Sequence, residues 1–192
     1  HASRACISAI KQIEVLNELN QKWIESNQNP IRIGIGINTG IMHVGNMGSK
    51  IRFDYTVLGD EVNLGARLES INKFYGTNII ISDSTFNEIN AEDFFIRLLD
   101  EVIVKGKEES ARIYELIGFR SKSDTVLENR IRTYEMAYDY YRKRDFDSAR
   151  KLLNDFLEKN SDDPSEVLLR RMDEYEKTGF PDDFPALRMS SK

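Results

Sequence analysis

The chain has 192 residues but only one cysteine, Cys6, so no internal disulfide can form. This excludes a disulfide-stapled scaffold and fits a reducing compartment. Cys6 lies among Ala2, Ala5, Ala9 and Ile13, the setting of a buried structural thiol and not of a nucleophile.

 

Basic residues are outnumbered, 27 Lys and Arg against 32 Asp and Glu, for a formal net charge of −5. A nucleic-acid binder would show a basic patch or stripe, so that class is set aside. No apolar run approaches the ~18–20 residues that span a bilayer, and no signal-peptide pattern opens the chain. Phosphate-binding fingerprints are also missing. Gly34, Gly36 and Gly40 have neither the dinucleotide nor the P-loop spacing, and no helix with Lys-Ser or Lys-Thr follows them. These glycines are expected to serve hairpin geometry and tight packing.

What remains is an ordinary globular composition, 40% hydrophobic and 31% charged, long enough for one good core plus an appendage. Residues 2–27 are predicted to form a helix with Cys6, Ala9, Ile13, Leu16 and Trp23 near one face, closed off by Pro30. Ile31–Asn38 alternates Ile with Arg or Gly as a strand, Thr39-Gly40 turns, and Ile41–Val44 is expected to return as its hairpin partner. Residues 51–58 give a further strand and 60–75 a helix. Then come a strand at Asn78–Ser82, a brief helix at Ser84–Ile89, and strands at Phe94–Leu98, Val102–Lys105 and Ala111–Ile117. This order predicts an α/β sandwich of the ferredoxin-like kind. His43, isolated on its strand, is expected to be partly buried.

A polar stretch marks a linker at 119–123, and residues 124–192 are predicted to be an all-helical tail. Leu127, Ile131, Tyr134, Tyr138 and Tyr141 recur at three or four residues, as do Phe146, Ala149, Leu152, Leu153, Phe156 and Leu157 after a break at Lys143-Arg144-Asp145. Asp163-Pro164-Ser165 starts a third helix. The run Asp145–Ala149 with Pro164 beyond it resembles one tetratricopeptide unit without a second copy, so the tail is expected to pack on the first domain. A protein partner docking on the tail is the other expectation.

The most informative stretch is Tyr55–Glu69. A strand-like run turns at Gly59 and opens a helix, with Asp60 expected as its N-cap. Asn63 and Arg67 are four residues apart and share a side of that helix. Leu64, Leu68, Ile71 and Tyr75 form an adjoining buried stripe. A guanidinium supplies planar donors with permanent charge, and an amide beside it can orient a sugar or ring oxygen. That pairing suits chemistry in which phosphate charge develops.

Gly59-Asp60-Glu61-Val62-Asn63-Leu64-Gly65-Ala66-Arg67 resembles the strand–turn–helix of class III nucleotide cyclases. Ile33–Gly40 followed by Val44–Gly48 is similar to that family's central hairpin. Val102–Lys107 and Tyr114-Glu115-Leu116 are similar to its closing strands. The resemblance covers residues 1–118 and implies a catalytic domain forming 3′,5′-cyclic AMP and pyrophosphate from ATP. It implies that Asn63 orients the ribose, that Arg67 stabilises the transition state, and that Lys105, in preference to Lys107, contacts the terminal phosphates. Thr56 falls at the base-reading position, where a threonine favours adenine over guanine. A guanylate cyclase, and a cyclase-like interaction module without catalysis, are the alternatives. Gly65 departs from the alanine common in relatives, at ~1 kcal/mol in a helix interior.

The family binds two Mg²⁺ or Mn²⁺ ions through two aspartates, expected upstream of His1. None of Asp54, Asp60 and Asp83 matches their positions, so no metal ligand is named. The resemblance also implies a head-to-tail homodimer with shared active sites, on the cytoplasmic side, with any membrane anchor in preceding regions. Beginning without methionine inside an amphipathic helix, the chain is expected to be a fragment. Alone it is expected to be inactive and prone to aggregation through an unpaired sheet edge.

Overall fold

The structure is a computed structural model that describes residues 1–48, 53–103, 110–120 and 124–188. Helix α1 (Ala2–Glu25) lays Ala2, Cys6, Ala9 and Ile10 on the sheet. Small residues along that face let the helix approach closely, and burial pushes the Cys6 thiol up to about 11 despite a backbone hydrogen bond. The thiol is therefore a protonated core group, as expected. Strand β1 (Ile35–Ile37) pairs in parallel with β4 (Ile79–Ser82). Between them come β2 (His43–Gly48), β3 (Phe53–Leu58) and helix α2 (Asp60–Tyr75).

The expected hairpin between residues 31–38 and 41–44 does not form. β2 pairs antiparallel with β3 in a separate two-stranded ribbon, His43 opposite Leu58 and Gly45 opposite Thr56. The reason lies in β1. Its Ile35 and Ile37 pack with α1 on one face, while a Cβ placed on Gly36 would stand 2.3 Å from both Glu69 N and Gly65 O of α2 on the other. A strand covered on both faces takes the parallel neighbour that α2 leads to, as in a right-handed crossover unit. His43 is exposed on the ribbon, against the expectation of partial burial.

The main sheet has five strands in the order β1, β4, β6 (Ser110–Phe119), β5 (Phe94–Ile103) and β7 (Leu187–Arg188). A short helix α3 (Asp83–Asn87) follows β4, capped by Ser82 Oγ accepting from Thr85 N at 3.2 Å. Cys6, Ala9, Ile79, Ile81, Tyr114 and Leu116 make the core under α1. On the other face α2 and the tail bury Leu64, Leu68, Ile80, Leu99, Tyr134 and Leu153 in one continuous cluster. Tail and sheet thus share a core. Among the described residues no helix is long and apolar enough to cross a membrane.

Two expectations about strands are corrected. Phe94–Leu98 and the described residues of the second expected strand, Val102 and Ile103, are parts of one strand with a register shift between Leu98 and Asp100, while Val104 and Lys105 lie outside the described residues. A bulge of this kind breaks the period of two, so the apolar alternation changes parity and imitates a strand end. The tail is not helical throughout. Helices α4 (Thr125–Arg142), α5 (Phe146–Leu157) and α6 (Asp163–Thr178) are capped by Asp124, Asp145 and Asp162. Beyond Gly179 the chain returns to the sheet, and Leu187 and Arg188 pair in parallel with Val102 and Ile103.

β5 carries two charged residues with no solvent exposure, Arg97 and Asp100. The Arg97 guanidinium donates to Glu115 of β6 through Nε at 2.9 Å, and to both carboxylate oxygens of Asp162 through Nη1 at 3.0 and 2.8 Å. Arg130 of α4 adds a second cation, its Nε 2.8 Å from Asp162 Oδ1. Burial by itself raises the Asp162 carboxyl. Arg97, the bond from Ser165 and Arg130 outweigh it and hold the group below the ordinary aspartate value. Its stabilisation is therefore present above that ordinary value and is lost as pH falls through the lowered one. Replacing Asp162 with Ala should cost about 3–5 kcal/mol in urea unfolding, because Arg97 keeps its charge and loses its main partner. The variant should also lose less stability than wild type on acidification. A change below about 1 kcal/mol would show that Glu115 alone satisfies Arg97.

Candidate active site

The turn into α2 rests on Gly59, whose φ of +156° is open to glycine and rare for other residues. Gly59 is the N-cap and has no side chain to offer; its carbonyl accepts from Val62 N at 3.1 Å and Asn63 N at 3.2 Å. Asp60 is the first helical residue and not the expected cap. With Glu61 it places negative charge in the first turn, where the helix dipole favours it. Asn38, just beyond β1, fastens this end, its Nδ2 donating to Glu61 O at 2.9 Å and Glu61 Oε2 at 2.8 Å. Ser84 donates to Asn38 Oδ1 at 3.1 Å. Lower down, buried Asn72 donates to Ile35 O at 3.1 Å.

The stripe adjoining Asn63 and Arg67 on α2 is as expected, with Leu64, Leu68, Ile71 and Tyr75 all buried. Asn63 is consequently exposed and Arg67 half-buried. Thr56 is exposed on β3, three residues before Gly59. The structure places Asn63 and Arg67 on one helix and Thr56 on the strand that runs into it. Lys105 and Lys107 lie outside the described residues; β5, which leads toward them, is described through Ile103.

An open cleft of about 870 Å³ lies at the start of α2, lined among others by Thr39, His43, Asp60, Glu61 and Asp83. Thr56, Asn63 and Arg67 are not among its lining residues. Its acidic wall is unsuited to a polyphosphate. Beside it Tyr114 donates to Asp83 Oδ1 at 2.9 Å, and burial together with that bond pushes the phenol up to about 12. Among the described residues no three His, Cys, Asp or Glu side chains converge as a metal site requires. No metal ligand is assigned to the described residues.

Around the ribbon the surface is apolar: Ile41 is 90% exposed, Tyr55 76%, Val44 54% and Leu58 52%. Exposed apolar side chains are thus concentrated next to Thr56. Sequence reading missed the buried charges of β5 and their partners in the tail. The signal was there, since Arg97 and Asp100 interrupt an otherwise apolar run and a charge inside a core strand requires a partner.

Residues 1–118 match the adenylate and guanylate cyclase catalytic domain, and the chain belongs to that family. It is 38% identical over 122 residues to the terminal-differentiation specific adenylate cyclase of Dictyostelium discoideum, covering 62% of this chain and 6% of that protein. It is 43% identical over 88 residues to an adenylate cyclase of Anabaena cylindrica, covering 45% of this chain and 18% of that one. The chain thus spans a small part of the length of these relatives. Among solved structures it is similar to the guanylyl cyclase Cya2, at 32% identity and a TM-score of 0.50, over 64% of this chain and 61% of that one. The mixed α/β cyclase fold followed by C-terminal helices is thereby established.

Two glycines test how α2 is held. Gly36→Ala should destabilise the protein by about 1–3 kcal/mol or more, because the new methyl meets helix backbone that cannot yield. A Cβ on Gly65 would find only Asn38 Cβ, at 3.8 Å. Gly65→Ala should therefore stabilise by about 1 kcal/mol in denaturant unfolding. Equal effects of both substitutions would contradict this close packing of β1 on α2.

Proposed function

We propose that this chain supplies the transition-state and base-reading half of an adenylate cyclase active site, converting ATP to 3′,5′-cyclic AMP and pyrophosphate. The observation that carries the reading is that Asn63, exposed, and Arg67, half-buried, share one side of α2, immediately after the Thr56 strand. The ribose 3′-oxygen attacks the α-phosphorus in line, its proton leaves to solvent, and the bond to the bridging oxygen of the β-phosphate breaks. Arg67 donates to the α-phosphate oxygens as charge develops there. Asn63 aligns the ribose, and Thr56 accepts from the adenine amino group while donating to a ring nitrogen. Lys105 neutralises the terminal phosphates. Mg²⁺ or Mn²⁺ would offset the remaining polyphosphate charge when bound, through ligands outside the described residues.

The exposed apolar ribbon supports a head-to-tail homodimer in which the metal-binding part of one protomer meets Thr56, Asn63 and Arg67 of the other. The similarity to adenylate cyclases of two organisms supports ATP as substrate. The likeness to Cya2 favours GTP as the second reading; Thr56 argues for adenine.

Arg67→Ala, in a cyclase that carries this chain together with the metal-binding part, should lower kcat by about 10²–10³ with little change in KM for ATP. Wild-type turnover would remove Arg67 from the mechanism. Thr56→Cys should erode the ATP over GTP preference in kcat/KM by about 1–3 kcal/mol, the scale of a hydrogen-bonding group left unpaired. An unaltered ratio would move base selection to other residues.

A further inference from the structure

The second buried charge of β5 joins the helix of the candidate site to the tail. Asp100 accepts from the Tyr75 hydroxyl at the last residue of α2, from Tyr138 of α4 at 2.8 Å, and from Arg171 of α6. Its own Oδ1 also accepts from Glu101 N at 2.8 Å. Arg171 continues outward, donating to the Tyr141 hydroxyl at 2.9 Å and to Pro185 O at 3.1 Å, two residues before β7. One carboxylate is thus the meeting point of α2, β5, α4, α6 and the returning C-terminal segment.

We propose that Asp100, with Tyr75 and Arg171, is a positioning residue for the cyclisation reaction: it lets the tail fix the helix that presents Asn63 and Arg67. This rests on the reading of those two residues given above. A buried ion pair is weak evidence for stability, since apolar side chains of similar volume often serve as well. Directed hydrogen bonds do what apolar packing cannot, by fixing the rotation of a helix about its axis. Tyr75 stands about 12 Å along the axis from Arg67 at ~1.5 Å per residue. A rigid helix held at that point carries any tilt or rotation to the functional side chains. Asp100 also sits three residues before Ile103, where pairing with Arg188 of β7 holds the strand that leads to Lys105.

The test uses Tyr75→Phe, which removes one hydroxyl and keeps the ring, and Arg171→Lys, which keeps the charge and loses the planar fork. Steady-state kinetics with ATP and amide hydrogen exchange are both measured on the cyclase that carries this chain together with the metal-binding part. Tyr75→Phe should lower kcat by about ten- to a hundredfold, the scale of an ångström-level misplacement, with KM for ATP close to wild type. Its α2 amides should exchange about tenfold faster while those of α5 keep their protection. Arg171→Lys should give a smaller effect of the same kind. The double substitution Asp100→Asn with Arg171→Met leaves no buried unpaired charge, and it should reproduce the kcat loss in a folded protein. Unchanged kcat in all three folded variants, or uniformly faster exchange with unchanged kcat, would overturn the proposal. If the wild-type protein makes no cyclic nucleotide, the functional reading fails, and a selective response of α2 exchange still supports the coupling while its absence overturns it.

Discussion

Burying Arg97 and Asp100 in the middle of an apolar strand is the constraint on which the rest of the structure depends. An unpaired charge in such a place costs several kcal/mol, so each must be matched by groups brought from elsewhere in the chain. Glu115 comes from the neighbouring strand and Tyr75 from α2, but Asp162, Arg171 and Tyr138 come from the tail. The sheet face that α2 leaves open is therefore completed by α4, α5 and α6 in both its apolar and its electrostatic requirements. This explains why tail and sheet share one core. It also explains why Asp162 has two tasks, capping α6 through Ser165 N at 3.2 Å and neutralising Arg97.

Helix α2 is fixed by contacts of three different kinds. Glycine at position 36 brings β1 within backbone distance, Asn38 and Asn72 tie it to β1 by side-chain hydrogen bonds, and Tyr75 anchors its end. Each contact uses the side of the helix away from Asn63. The packing that holds the helix still thus acts away from the face that carries Asn63 and Arg67, which is the condition for a preorganised donor. The apolar ribbon carrying Thr56 has no such cover from the described residues, and a second protomer is the proposed partner.

Much of this was legible in the sequence because local rules and tertiary demands agreed there. Helix α2 runs over the expected residues 60–75, and its buried stripe is the one that the spacing of Leu64, Leu68, Ile71 and Tyr75 implies. Where they disagreed, the reading failed. Asp60 has the chemistry of a cap, but Gly59 alone can take the turn's backbone angle, so the cap moved back one residue. The glycines at 34, 36 and 40 are expected to serve a hairpin and tight packing; Gly36 does pack closely on α2, but the hairpin does not form. The bulge at Leu98–Asp100 hid a continuous strand by reversing its parity. Asp162, which pairs with Arg97, and Arg171, which pairs with Asp100, lie 65 and 71 residues away, beyond any periodic pattern. β7 is two residues long and exists through its neighbour β5, so no local signal announces it.

The most direct test of a shared cyclase site is complementation between two inactive proteins. One carries Arg67→Ala, and the other keeps this chain intact but lacks the metal-binding aspartates expected to precede it. Each alone should form no appreciable cyclic AMP from ATP. A mixture that exchanges subunits should regain activity, because one site of each mixed dimer combines an intact Arg67 with an intact metal-binding part. A mixture that stays inactive, although mixed dimers are shown to form, would contradict the assignment of Asn63 and Arg67 to a site completed by a second protomer.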